Sequence, residues 1–268
     1  MKTLRPLFFF VSLLLIVGMA CSFGGQPATQ AAPTQDQVPV DNPTAVPPEP
    51  TEVPPTEAPA TEPPATEPPA PEAQQFFTEE FDNPLSADWS VFTITDPNAS
   101  DLEKVTVEAD NGSLVWNFDS EYVYYYLFYS AFEYEDVKVE ARADNRGKNN
   151  NSVSLICRYD EEIGWYEFNI ANNGLYDILF AEVLDNGKIR WNRVANGGSN
   201  AINQGKEVNE YSITCQGEEL TLNINGDEVI SIKDQKYGLR SGQAGISVSS
   251  FNVLPILIEM DWIRISEP

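Results

Sequence analysis

The sequence of 268 residues contains no histidine and only three cysteines. Histidine is the usual base that activates a serine or cysteine nucleophile, so catalysis of the common serine or cysteine type is excluded. Zinc sites of the common cysteine and histidine type are excluded for the same reason. The sequence also has no Gly-x-Ser-x-Gly motif and no phosphate-binding glycine loop. These absences remove several large classes of enzyme from consideration.

Basic residues are also scarce. The chain has 16 lysines and arginines against 41 aspartates and glutamates, which gives a formal net charge of −25. The imbalance persists in residues 75–268, which hold 33 acidic and 14 basic side chains. A nucleic acid, itself a polyanion, is therefore excluded as an expected partner.

Residues 1–21 combine a basic start, Lys2 and Arg5, with an apolar run over residues 7–17 that is too short for a stable membrane span. Small residues and then Cys21 follow this run, and the arrangement resembles the lipobox of bacterial lipoproteins. The resemblance implies cleavage before Cys21 and lipidation of that cysteine. An ordinary signal peptide or an uncleaved anchor is the alternative, and either would also export the chain.

Residues 22–74 contain 15 of the 20 prolines, eight acidic residues and no lysine or arginine. A segment of this composition cannot bury an apolar core, and proline with like charges favours an extended chain. We therefore predict a disordered linker over 22–74 and one folded domain over 75–268.

The folded domain is predicted to be almost entirely β-strand, because apolar and polar residues alternate and no 3.6-residue apolar repeat persists. Hairpin turns are predicted at Asn225-Gly226, at 185–187 and at 216–218. Predicted strands include 89–95, 113–118, 122–129, 137–143, 165–170, 175–183, 188–194, 220–224, 242–250 and 256–265. So many short strands favour a two-sheet sandwich with jelly-roll connections.

Two cysteines, Cys157 and Cys215, remain in the predicted domain. Each alternates onto the apolar face of a predicted strand, so the two sulfurs could meet in the core. Exported proteins commonly form disulfides, and we predict a Cys157–Cys215 bridge, with two buried thiols as the alternative.

Several segments carry a family resemblance: FTEEFDNP followed by Trp89, then SLICRYDEEIGWYEFNIANNGLYDIL, NEYSITCQGEELTLNINGDEVISIKD, SGQAGISVSS and the closing EMDWIRIS. Together they resemble exported domains of the concanavalin A-like lectin and glucanase superfamily, especially its laminin-G-like and 3-keto-disaccharide hydrolase-like branches. The resemblance spans residues 76–266 and implies the jelly-roll fold more strongly than any one activity.

The glucanase branch carries its catalytic carboxylates along one strand as Glu-x-Asp-x-x-Glu, and this chain lacks that pattern. The nearest acidic residues have another spacing and fit a solvated strand edge; they are Glu133, Glu135, Asp136 and Glu140. We therefore expect no catalytic residues, with a carboxylate-only, glycoside hydrolase-like enzyme as the alternative.

Sugar-binding jelly rolls stack aromatic rings on sugar rings and bind hydroxyl groups with polar side chains. In WYEFNI, Trp165, Glu167 and Asn169 alternate away from the expected core face. In EYVYYYLFY one face carries an aromatic row, which we expect to be exposed in part; it consists of Tyr122, Tyr124, Tyr126 and Phe128. The candidate carbohydrate-binding residues are Tyr124, Arg158, Trp165, Glu167, Asn169 and Trp191. For each aromatic residue, a place in the core is the alternative.

We expect the acidic residues near the first and last strands, Glu80, Asp82 and Asp261, to cap or edge those strands. The alternative is that they hold a structural calcium ion, because several jelly-roll families have one between their first and last strands. No other cofactor is implied.

Taken together, the sequence predicts an exported, membrane-tethered binding module for carbohydrate, lipid-anchored on the outer face of a bacterial membrane. The alternative is a structural domain that contacts a cell-envelope protein.

Overall fold

The computed structural model describes residues 73–268. They form one 3-10 turn, Leu102–Lys104, and the following strands: β1 (Phe77–Glu79), β2 (Trp89–Thr95), β3 (Val105–Asp110), β4 (Ser113–Phe118), β5 (Val123–Tyr134), β6 (Val137–Asn145), β7 (Asn151–Asp160), β8 (Gly164–Ala171), β9 (Leu175–Val183), β10 (Ile189–Gly198), β11 (Val208–Gln216), β12 (Glu219–Ile224), β13 (Asp227–Lys233), β14 (Gly242–Ser250) and β15 (Ile256–Ser266). No helix in this part of the chain is long and apolar enough to cross a membrane.

The strands form two antiparallel sheets. Sheet I has the order β13-β12-β11-β6-β15-β4-β3, with β1 added to β15, and sheet II has the order β10-β9-β8-β7-β14-β5-β2. The chain passes from one sheet to the other after β1, β2, β4, β5, β6, β10, β13 and β14. The predicted all-β, two-sheet jelly-roll sandwich is therefore confirmed.

The main core lies between the sheets and is built by two-residue alternation. In β6 every second residue is buried, including Val137, Val139 and Ala141, and in β8 Tyr166 and Phe168 face the same core. Side chains of a strand point alternately to its two faces, so the sequence pattern alone assigned these residues correctly.

The predicted disulfide is confirmed. Cys157 in β7 of sheet II is bonded to Cys215 in β11 of sheet I, with both residues completely buried and their Cα atoms 6.6 Å apart. The bond therefore links the two sheets through the core.

The predicted hairpin at Asn225-Gly226 joins β12 to β13. Both residues have positive φ, 52° and 87°, as a type I′ turn requires. Glycine adopts this conformation without strain, and asparagine tolerates it better than most residues do.

The outer faces of the two sheets differ in chemistry. Sheet I carries exposed or half-buried ion pairs, such as Lys138 with Glu140 at 2.9 Å and Arg146 with Asp144 at 2.9 Å. Sheet II carries a second cluster of buried apolar side chains on its outer face, described below. The predicted signal peptide, Cys21 and all but the last two residues of the predicted linker lie outside the described residues.

Candidate functional site

The outer face of sheet II is covered by aromatic side chains that pack on one another. Phe128 stacks on Tyr159 with ring centroids 3.7 Å apart, and Trp165 meets Tyr126 edge-on at 5.5 Å. Gly245, opposite Phe128 on β14, makes room for this ring, since a Cβ there would lie 2.7 Å from it.

This packing corrects the expected exposure of the aromatic row for Tyr126 and Phe128, whereas Tyr122 and Tyr124 are half-buried. Tyr126 and Phe128 are 0 % and 1 % exposed. The row does face away from the main core, as predicted, but rings from neighbouring strands cover it, among them Phe92 of β2 and Trp165 of β8. Trp165, predicted as a binding residue, is likewise completely buried in this cluster.

One cavity of about 190 Å³ remains beside the cluster. Its lining residues come from strands β5, β8, β9 and β10 and from the segment after β14; they are Tyr124, Glu167, Asn169, Leu179, Trp191 and Phe251. Four of the six predicted carbohydrate-binding residues are thus brought together: Tyr124, Glu167, Asn169 and Trp191.

Three aromatic rings surround this cavity. The ring of Tyr124 lies 6.4 Å from that of Trp191 at an interplanar angle of 31°, and 6.2 Å from that of Phe251 at 82°. Trp191 is 38 % exposed and rests edge-on against buried Trp165 at 5.8 Å. The exposed face of Trp191 is therefore available to a ligand, and the packing against Trp165 holds the Trp191 ring in place.

Glu167 lies at the base of the cavity and is only 1 % exposed. Its Oε2 accepts hydrogen bonds from the Tyr126 hydroxyl and from Trp165 Nε1, each at 3.1 Å, and its Oε1 accepts one from Ser154 Oγ at 2.8 Å. Burial raises the pKa of the Glu167 carboxyl, and the hydrogen bonds from Trp165, Ser154, Tyr126 and Asn169 act in the opposite direction.

Asn169 extends this polar network along the sheet. Its Nδ2 donates to Ser152 Oγ at 2.9 Å and to Ser154 Oγ at 3.0 Å. The network fixes the orientation of both Asn169 and Glu167, so the polar groups of the cavity are held in place before any ligand arrives.

Two arginines flank Trp191 on edge strand β10, and both are paired with carboxylates outside the cavity. Arg190 Nε donates to Glu182 Oε2 at 2.9 Å, and Arg193 Nε lies 2.7 Å from Asp177 Oδ1. Exposed pairs of this kind contribute little to stability, and the partners of the two arginines are Glu182 and Asp177, not Glu167.

Arg158 is not part of the cavity. A bulge between Cys157 and Asp160 gives Arg158 a positive φ of 59° and breaks the two-residue alternation of β7. Its buried guanidinium donates instead to the backbone oxygens of Glu135, at 2.9 and 3.0 Å, and of Leu239, at 3.1 Å. This arginine therefore links β7 to the connections that follow β5 and β13.

The three predicted calcium ligands do not form a metal cluster. Residues 73–268 contain no group of three or more acidic, cysteine or histidine residues arranged to hold an ion. Asp261 is in contact with the guanidinium of Arg142. A calcium ion at Glu80, Asp82 and Asp261 stays the alternative, and a melting temperature unchanged by chelator would exclude it.

The sequence pattern was not used to assign Ser152, Ser154 or Phe251 to the site. Ser152 and Ser154 alternate with Cys157 and so face away from the core, which means that two-residue alternation was sufficient to predict their position. Phe251 lies after the end of β14, where alternation gives no signal.

A family model described as the 3-keto-alpha-glucoside-1,2-lyase-like domain matches residues 78–260. The chain belongs to this family. The match covers nearly all of the described strands, so the family domain corresponds to the β-sandwich. No curated protein matches the sequence.

Solved structures similar to this family member share the fold at low identity. A β-glucanase of Bacillus licheniformis is 13% identical with a TM-score of 0.52, covering 74% of this chain and 100% of its own. A GH16 protein of Bacteroides ovatus, solved with a glucan product, is 12% identical with a TM-score of 0.51, covering 71% and 99%. An endo-acting O-glycanase from the human gut microbiota is 13% identical with a TM-score of 0.51, covering 71% and 98%.

Proposed function

We propose that the domain binds carbohydrate in the cavity on the outer face of sheet II. The observation that carries this proposal is the combination of exposed aromatic surface on Trp191 and Tyr124 with fixed polar groups on Glu167 and Asn169. Aromatic faces stack on the CH groups of a sugar ring, while carboxylate and amide groups bind its hydroxyls. The family match and the glycan-processing proteins of the same fold favour a ligand of this class.

The number of carboxylates in the cavity favours a binding function over hydrolysis. Glycoside hydrolysis commonly needs two carboxylates, about 5 to 10 Å apart, on either side of the scissile bond. Among the described residues that line the cavity, Glu167 is the one carboxylate. Asp177 and Glu182 are both paired with arginines.

A glycan array probed with the full-length protein tests this function. We expect binding to one class of glycan, lost in Trp191→Ala and kept in Trp262→Ala. Trp262 is the matched control, since it lies in sheet I, where it contacts Arg264. An array without any signal, or an equal loss in both variants, would contradict binding in this cavity.

We further propose that the domain is exported and held at the outer face of a bacterial membrane by a lipid on Cys21. The basic start, the short apolar run and the cysteine that follows it support this proposal, and the proline-rich segment 22–74 would act as the spacer. Metabolic labelling with a fatty acid should mark the protein but not Cys21→Ala. Equal labelling of both would contradict the anchor.

A further inference from the structure

The cavity on sheet II holds a carboxylate without a positive partner. The groups that donate hydrogen bonds to Glu167 are all neutral: a tyrosine hydroxyl, an indole N–H, a serine hydroxyl and the nearby Asn169 amide. Glu167 forms no salt bridge within residues 73–268. The two arginines nearest along the edge strand, Arg190 and Arg193, are already paired with Glu182 and Asp177.

A buried carboxylate of this kind is unusual. Burial of a charge is unfavourable unless a counterion or several strong donors compensate for it. Neutral donors, the Asn169 amide among them, compensate only in part, because none of them carries a positive charge. A ligand that brings a positive charge to the cavity would supply the missing partner.

The aromatic walls favour the same kind of ligand. The face of an aromatic ring is electronegative and attracts a cation placed over it, most strongly when the site is shielded from water. Three rings, those of Tyr124, Trp191 and Phe251, border the space above Glu167. Rings around a carboxylate are an arrangement suited to an ammonium group, and the acidic domain attracts cations from a distance.

We propose that the carbohydrate bound here carries a free amino group, as in an oligosaccharide of glucosamine, and that its ammonium group pairs with Glu167 between the three rings. This inference rests on the proposed carbohydrate-binding function. A hexosamine presents both features that the cavity requires: a ring with CH groups for stacking and a cation for the carboxylate. The volume of about 190 Å³ suits one sugar residue.

Calorimetric titration of the full-length protein tests the inference. The probes are glucosamine oligomers, the matching N-acetylglucosamine oligomers, neutral glucan oligomers and choline, all at neutral pH. We expect the amino sugar to bind about tenfold or more tightly than its acetylated form, because acetylation removes the charge that pairs with Glu167.

Two variants with the same change of charge complete the test. Glu167→Gln can keep the three hydrogen bonds if Ser154 accepts from the new amide, and it should abolish the preference for the amino sugar. Glu182→Gln removes a carboxylate that pairs with Arg190, the residue before Trp191, and that lies outside the cavity, and it should keep the preference. Circular dichroism and thermal unfolding check that both variants fold; if Glu167→Gln does not, the comparison of probes on the unchanged protein decides.

Each result has one meaning. A neutral glucan bound as tightly as the amino sugar overturns the inference and leaves carbohydrate binding intact. Choline bound as tightly as the amino sugar overturns the assignment to a sugar amine. An amino-sugar preference that survives Glu167→Gln overturns the role of this carboxylate. Failure of every glycan overturns the proposed function together with the inference.

Discussion

The disulfide between Cys157 and Cys215 should be a major source of stability for the sandwich. It joins the two sheets across 58 residues of chain. On the chain-entropy model, closing a loop of this length in the unfolded state stabilises the fold by about 4 kcal/mol at 25 °C. Domains of this size are stable by about 5–15 kcal/mol in total, so loss of the bond removes a large fraction.

Urea unfolding of the oxidised and reduced protein measures this contribution. The protein is reduced while unfolded, because both cysteines are completely buried, and is then refolded and titrated in reductant. Reduction keeps both sulfurs, and it therefore isolates the covalent link from core packing. A Cys157→Ala/Cys215→Ala variant should be slightly less stable than the reduced protein, since removal of the two sulfurs also leaves a small void in the core. A difference below about 1 kcal/mol between the oxidised and reduced forms would refute the entropic reasoning.

Three further predictions concern single side chains. Tyr166→Phe removes the hydroxyl that donates to buried Asp234 and should cost about 1–3 kcal/mol in urea unfolding, whereas no change would show that the bond contributes nothing. The pKa of Glu167 is raised in the folded state. The contribution of this residue to the free energy of unfolding is therefore fully present below its pKa in the unfolded chain, and it is lost as the pH rises through its pKa in the folded protein. The protein should therefore lose stability relative to Glu167→Gln as the pH rises above about 4.3, the pKa of an unperturbed glutamate, and a constant difference in melting temperature would contradict this. Gly226→Ala, at φ 87°, should cost about 1–2 kcal/mol in the same unfolding assay, and an unchanged midpoint would contradict the type I′ turn.

The sequence pattern predicted the long, half-buried strands well, because one face of each must be apolar. The bounds 89–95, 113–118, 175–183 and 242–250 agree with β2, β4, β9 and β14. β1, with three residues, is too short to show alternation, and β3 is a partly exposed edge strand whose apolar residues are small. β10 extends beyond its predicted end because a bulge at Arg193 and Ala195 lets the glycines after it pair with β9.

The site was predictable only where strand phase is regular. Alternation placed Glu167 and Asn169 on the outer face of sheet II, and cross-strand pairing brings Tyr124 and Trp191 near them. Alternation does not predict the bulge that changes the direction of the Arg158 side chain, since a positive φ at a non-glycine residue depends on its tertiary surroundings. Nor could it foresee that rings from separate strands would cover Tyr126.

The most direct test of the account is nuclear magnetic resonance of the tryptophan side chains during titration with the glycan selected by the array. The five tryptophans give one indole N–H signal each. We predict that the signals of Trp191 and of Trp165, which contacts it, shift on binding, while that of Trp262 in sheet I stays in place. A shift of Trp262 with Trp191 unchanged would place the ligand on the opposite sheet and contradict the account.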